Sequence, residues 1–182
     1  LRKYQAGFSI VPVLSAEFDP DIERLCCYIG CMLLDSHLVP EAIAKPRSFV
    51  GLMALYESNY LRLLRLIPEV GRLDGCFRSR IAGECDLHVE ILERCRYTVT
   101  LSLTYHLETD EGLLIDPDMT VRVYLDGQLA EVMAIGKRQR HAALRQLVRE
   151  HRKELDRRWR RNIVLNKWLD SLGEQGHLIL ER

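Results

Sequence analysis

The chain of 182 residues contains no run of 18 or more uncharged apolar residues, so no membrane-spanning helix is expected. It lacks net charge, with 26 Lys+Arg against 26 Asp+Glu, and 47% of its residues are hydrophobic. Disorder as the main state is therefore excluded, and the length suits one domain with a real core. A secretory signal is missing too. Arg2 and Lys3 lead into Gln5, Gly7, Ser9 and Pro12 rather than an apolar stretch. Cys26, Cys27 and Cys31 follow Glu23 and Arg24, which does not suit a lipid anchor. These missing signals point to the cytoplasm, where the six cysteines are expected as reduced thiols. No second cysteine pair accompanies Cys26, Cys27 and Cys31 at a zinc-like interval, so no metal is expected. Phosphate loop, nucleophile elbow, H-E-x-x-H and G-x-G-x-x-G are all absent, and so are internal repeats. No cofactor and no catalytic set is assigned on this basis.

What is present is a change of period along the chain. Residues 1 to 47 hold four of the six prolines and no clean pattern. From Phe49, apolar residues recur at three- and four-residue steps through Leu52, Leu55, Tyr56, Tyr60, Leu63 and Leu66, predicting a helix over 49–67. Ser48 is its expected N-cap, and Pro68 and Gly71 mark its stop. Residues 86 to 135 then alternate with period two, as in Tyr97-Val99-Leu101-Leu103-Tyr105 and Met119-Val121-Val123-Leu125.

Asp126-Gly127 between two such runs predicts a hairpin with a type I′ turn. That register sets Val123 against Ala130, Arg122 against Glu131 and Val121 against Val132, with Arg122 and Glu131 expected as an ion pair. For the earlier hairpin, matching Ile91 with Val99 and Val89 with Leu101 asks for a three-residue loop, Arg94-Cys95-Arg96. Tyr124, Leu129, Met133 and Ile135 are expected on the second face of the sheet, which a helix or a partner must cover. After Gly136 the helical period returns. Leu144, Val148, His151, Leu155 and Trp159 mark one face, and Ile163, Val164, Trp168, Leu169 and Leu172 continue it to Gly173 and Gly176. Residues 177–180 are expected to add a short final strand. Helix, meander of four to five strands, then a helix or bent helix pair: this is an α+β fold with a mostly antiparallel sheet.

The functional candidates are few. Residues 137–161 hold eleven Lys/Arg and three Asp/Glu, with Arg138, Arg145, Arg149, Arg152, Arg157, Arg158, Arg160 and Arg161 as a basic surface. Such a row can neutralise phosphates, but no nucleic-acid-binding signature accompanies it, and a solvated or partner-binding helix back is preferred. His88 and His106 fall on the polar sheet face, where Glu90, Asp110 or Asp116 would complete a general-base pair. Cross-strand polar pairs on a solvated face look the same and are preferred. Asn59 lies on the apolar stripe of the first helix, where a buried amide needs its hydrogen bonds met. A structural amide tying the helix to a strand edge or loop is preferred there over a ligand contact.

Glu57-x-Asn59-Tyr60, Glu93-x-x-Arg96-Tyr97-Thr98, Met119 to Asp126 with Tyr124, and Ala130-Glu131-Val132 together resemble the YqiB-like bacterial family, a domain of unknown function (1249). Asn162 and Trp168-Leu169 add to the likeness, which covers about residues 47–176. The resemblance implies a cytoplasmic bacterial protein and transfers no activity. The expected function is a non-catalytic interaction or regulatory module with a protein partner. Its alternatives are a small-molecule binder or enzyme with Glu57, Asn59, Arg96, Tyr97, Arg122 and Glu131 around a polar pocket, and nucleic-acid binding through 137–161. Residues 1 to 31 lie outside the likeness and open on Leu1. Translation is expected to start at Met32, leaving 1–31 as a loosely packed extension and 32–182 as the domain.

Overall fold

A computed structural model describes residues 48–109, 112–136 and 154–180. The expectations for residues 1–47, for Asp110 and for the basic residues Arg138, Arg145, Arg149 and Arg152 lie outside the described residues.

Helix α1 (Phe49–Leu66) begins where expected, with the Ser48 hydroxyl accepting from the Gly51 amide at 3.0 Å. Its stripe is buried, and Ile67 caps its end by donating to the Leu63 carbonyl. Six strands follow: β1 (Cys76–Ser79), β2 (Leu87–Arg94), β3 (Thr98–Thr109), β4 (Gly112–Ile115), β5 (Met119–Tyr124) and β6 (Leu129–Ile135). All pairings are antiparallel in the order β1-β2-β3-β5-β6, while β4 pairs with the far half of β3. β4 and β5 form one arm of a hairpin with β3, broken where Asp116–Asp118 insert one extra residue between Ile115 and Met119. Helix α2 (Glu154–Gln175) closes the fold.

Alternation builds the main core. Leu87, Val89, Val99, Leu101, Leu103, Met119, Val121, Val123, Ala130 and Val132 share one sheet face and are sealed by Leu63, Leu66, Leu165, Trp168 and Leu172 of the helices. A smaller cluster joins Leu52, Leu55, Tyr56, Trp159 and Ile163, with Leu129 packed on it. Trp159 is thus 5% exposed and inward-facing, as its stripe predicts.

Four local expectations are corrected by the structure. The β5–β6 register holds, with Val123↔Ala130, Arg122↔Glu131 and Val121↔Val132, but the turn is not type I′. Its left-handed residue is Gln128 (φ 54), so Leu125–Gln128 form a four-residue loop. In β2–β3 the pairs are Ile91↔Leu101 and Val89↔Leu103, two residues from the expected register. Leu92 bulges out between Ile91 and Glu93, Cys95 donates to Thr98, and the loop shrinks to Arg96-Tyr97. A second bulge, at Met133, turns Ile135 from the outer face into the core opposite Met119. Finally, residues 177–180 form no strand, although the Ile179 amide donates to the Leu66 carbonyl at 2.8 Å.

Candidate functional site

β6 is an edge strand, and an edge exposes unpaired backbone groups that invite further strands. Here α1 and α2 cover it. The Asn59 amide nitrogen donates to the Ala130 carbonyl (3.4 Å) and to Asn162 Oδ1 (3.1 Å), while Asn162 Oδ1 also accepts the Val132 amide at 3.0 Å. Asn162 Nδ2 donates to the Arg158 carbonyl one turn back, and Asn166 Nδ2 donates to Asn59 Oδ1 and to Ser58 Oγ. Both Asn59 and Asn162 are 0% exposed. A buried amide is tolerable only when its donors and acceptors are matched, and these are. Further along, Arg62 grips Asp170 through two nitrogens, at 2.7 and 3.0 Å, and reaches back to Ser58. The contacts 59–162 and 62–170 advance together, so the two helices run parallel.

Beside this amide ladder sits a carboxylate. Glu131 Oε2 accepts from the Tyr56 hydroxyl (2.8 Å) and from Arg158 Nη1 (3.1 Å), and Glu131 Oε1 accepts from the Tyr124 hydroxyl (2.7 Å). Three charge-assisted bonds hold the buried ion. Burial, and then the neighbouring Glu131 charge, push the Tyr56 phenol far above its usual range against the opposing pull of Arg158. Tyr124 is pushed up for the same two reasons, with Arg122 opposing. Neither phenol is therefore a ready base or nucleophile.

The structure gathers only part of the expected polar set. Asn59, Tyr124 and Glu131 belong to the helix–edge assembly. Arg122 faces Glu131 across the strands, yet its charge goes to Glu93 (3.8 Å) and its Nε donates to Thr100 (3.3 Å). The expected Arg122–Glu131 ion pair is thus replaced: Glu131 binds Tyr56, Tyr124 and Arg158 instead. Arg96 lies over the Tyr97 ring at 5.0 Å on the hairpin tip, and Glu57 points to solvent from α1. Glu57, Arg96 and Tyr97 are exposed, whereas Asn59 and Glu131 are buried.

Of the basic residues, Arg157 and Arg158 pair with Glu154, Arg158 also serves Glu131, and Arg161 donates to the Met133 carbonyl. Arg160 is partly exposed. His88 and His106 stack on each other with ring centroids 3.8 Å apart. Burial and the adjoining His106 and Arg78 lower the proton affinity of His88, while Asp86 opposes them. Among the described residues, no group of three or more His, Cys, Asp or Glu gathers to hold a metal ion.

Sequence reasoning missed Tyr56, Asn166, Ser58, Arg62 and Asp170 as members of the assembly. One available signal was Asn162-x-x-x-Asn166, two amides one turn apart in the apolar stretch of α2 and matching Asn59 on α1.

An antiparallel sheet whose last strand is sealed by two parallel helices through buried amides defines an α+β domain. The family model described as "Protein of unknown function (DUF1249)" matches residues 62–178, well over half of the chain, and the chain belongs to that family. The matched stretch takes in only the end of α1 from Arg62, all six strands, α2 and residues His177 and Leu178; Glu57, Asn59 and Tyr60 precede it. No curated protein and no solved structure matches the chain. No described helix is long and apolar enough to cross a membrane.

Proposed function

We propose that the protein is a non-catalytic interaction or regulatory module of the bacterial cytoplasm, acting on a protein partner. The observation that carries this reading is the mutual commitment of its polar side chains. Catalysis needs a base or nucleophile with a free valence turned toward a substrate. Asn59, Asn162, Glu131, Tyr56 and Tyr124 instead spend their hydrogen bonds on one another and on the β6 edge. The sheet face bearing His88, Glu90, Ser102, Thr120 and Arg122 lies opposite the main core that the helices seal, and it is the contact surface we assign.

Photo-crosslinking in cells tests this, with the reactive residue placed at Ser102 or Thr120 and, for comparison, at the exposed Leu61 of α1. Discrete protein adducts from the two sheet positions and none from Leu61 are expected. Adducts from Leu61 alone would overturn the assigned surface. A stoichiometric small molecule retained by the purified protein in native mass spectrometry would overturn the non-catalytic module itself.

A further inference from the structure

Helix α2 ends in a left-handed glycine, Gly176 (φ 85), with the His177 amide donating to Leu172 O at 2.9 Å and the Gly176 amide to Gly173 O at 3.1 Å. This turn aims His177 back into the protein, where it is 3% exposed. His177 Nδ1 lies 3.0 Å from Ser79 Oγ on β1, and the same oxygen accepts the Leu178 amide at 3.3 Å. One residue on, Ile179 is buried in the main core and donates to the Leu66 carbonyl, one of the orphan acceptors at the end of α1. Three consecutive residues thus fasten the C-terminal segment to β1 and α1.

The fastening favours a neutral ring, because the conflict with a charged one lies at Nε2. One hydrogen bond joins Ser79 Oγ and His177 Nδ1, donated by the hydroxyl or by the ring according to the tautomer, while Nε2 is buried without a hydrogen-bond partner. Adding a second ring proton creates a buried charge whose Nε2–H meets nothing, and burying an unpaired charge is costly. The groups around the ring do not relieve this. Tyr105 from β3 presents its ring at 6.4 Å, and its hydroxyl donates to Gln175 of α2. Glu84 accepts from Gln175, and Asp86 is held by Arg78 and Arg80. Both acids favour the charged ring from a distance, but neither bonds to it.

We propose that His177 is an acid-operated latch: protonation of its ring frees residues 177–180 from Ser79 of β1 and from the Leu66 carbonyl of α1. Burial lowers the proton affinity of His177 below the ordinary value near 6.5, with Glu84 and Asp86 opposing. The latch therefore stays closed at neutral pH and opens below it.

Hydrogen exchange on the full chain reads the device through the protection factors of the Leu178 and Ile179 amides. Between pH 7.5 and pH 5 these are expected to fall about tenfold or more, roughly one decade per unit of pKa displacement, while strands β3 and β5 keep their protection. His177→Asn offers Ser79 an amide near the Nδ1 position and does not titrate, so its fall should vanish. Unchanged protection in the unaltered chain, or a fall that persists in His177→Asn, overturns the latch. Should that variant fail to fold, the His177 ring signal in the unaltered protein decides by NMR. Its titration midpoint must lie below about 6.5 and coincide with the loss of Ile179 protection; a midpoint at or above that value overturns the latch equally.

Discussion

Asn162 carries three hydrogen bonds from one side chain, to Asn59, to the Val132 amide and to the Arg158 carbonyl. Asn162→Ala leaves Asn59 and the Val132 amide short of an acceptor in a dry setting, at a cost of about 1–3 kcal/mol for each orphaned group. Urea unfolding measures this, and a loss below about 0.5 kcal/mol, the range of ordinary surface changes, would show that the ladder does not bear on stability. Tyr56 gives a prediction of a different kind. Its proton is held more tightly folded than unfolded, so the unfolded chain ionises first, near the ordinary value of 10.0. The stabilisation is complete below that pH and shrinks as pH rises beyond it; Tyr124 adds in the same direction. Tyr56→Phe should therefore be about 1 kcal/mol less stable at neutral pH, yet decline less steeply between pH of about 10 and 11.5. Equal slopes in denaturation series for the two proteins would show that the folded chain does not hold the Tyr56 proton more tightly than the unfolded one. Of this residue-scale detail, only Asn59 was legible beforehand, because an amide on an apolar stripe must be satisfied locally. Glu131 was legible as a strand residue but not as a hub, since its partners lie 75 and 27 positions away on the two helices.

Elements were read well wherever one period ran unbroken, and poorly where a single residue interrupted it. The Ser48 cap and the Leu52-to-Leu66 stripe are local signals, so α1 matched to within one residue. The β2–β3 register was missed by two because the bulge at Leu92 supplies the parity that the sequence reading had assigned to a longer loop. An exposed Leu, 49% accessible, gives no warning of a bulge in an otherwise alternating strand. Met133 hides its bulge in the same way and so sends Ile135 to the core. Deleting Leu92 tests the point: Ile91 would then adjoin Glu93, so Ile91↔Leu101 and Glu93↔Thr100 become successive pairs of a regular ladder and Leu87, Val89 and Ile91 keep facing the core. Cooperative urea unfolding is expected to persist in the deletion, and Leu92→Ala should stay within about 0.5 kcal/mol of the unaltered chain, as for a surface change. Loss of cooperative unfolding on deletion would mean that Leu92 is needed to set the register and is not a mere insertion in it. At the end of α2, Gly176 has open space around its missing Cβ, so Gly176→Ala strains only the left-handed backbone, by about 1–2 kcal/mol. Calorimetry showing no loss would imply that the helix stop is set by His177 and Ile179 instead.

At the scale of the whole molecule, one polar layer divides two apolar clusters. On α1, Leu52, Leu55 and Tyr56 feed the smaller cluster and Tyr60 onward the main core, with Asn59 at the boundary; on α2, Trp159 and Ile163 precede Val164 in the same way, beside Asn162. The parallel helix pair thus straddles the β6 edge, because Leu129 and Ala130, on opposite sides of the strand, pack into different clusters. Periodicity showed that both helices were amphipathic, but it could not show that each stripe serves two cores, since that follows from where the edge strand falls between them. Energetic coupling should follow the division. Trp159→Ala removes a large buried aromatic at about 3–5 kcal/mol, and Leu103→Ala a buried aliphatic at about 2–5 kcal/mol. With no cluster in common, their double variant should lose the sum to within about 0.5 kcal/mol. Asn59→Ala and Asn162→Ala remove the two ends of one hydrogen bond, so their double variant should fall short of the sum by about 0.5–3 kcal/mol. The summed loss of Trp159→Ala and Leu103→Ala, about 5–10 kcal/mol, reaches the whole margin of many domains, so the cycles are best measured by urea unfolding with a stabilising osmolyte present throughout. Additivity at the asparagines together with strong coupling between Trp159 and Leu103 would reverse the picture: the two clusters would then form one continuous core, and the amide layer would not separate them.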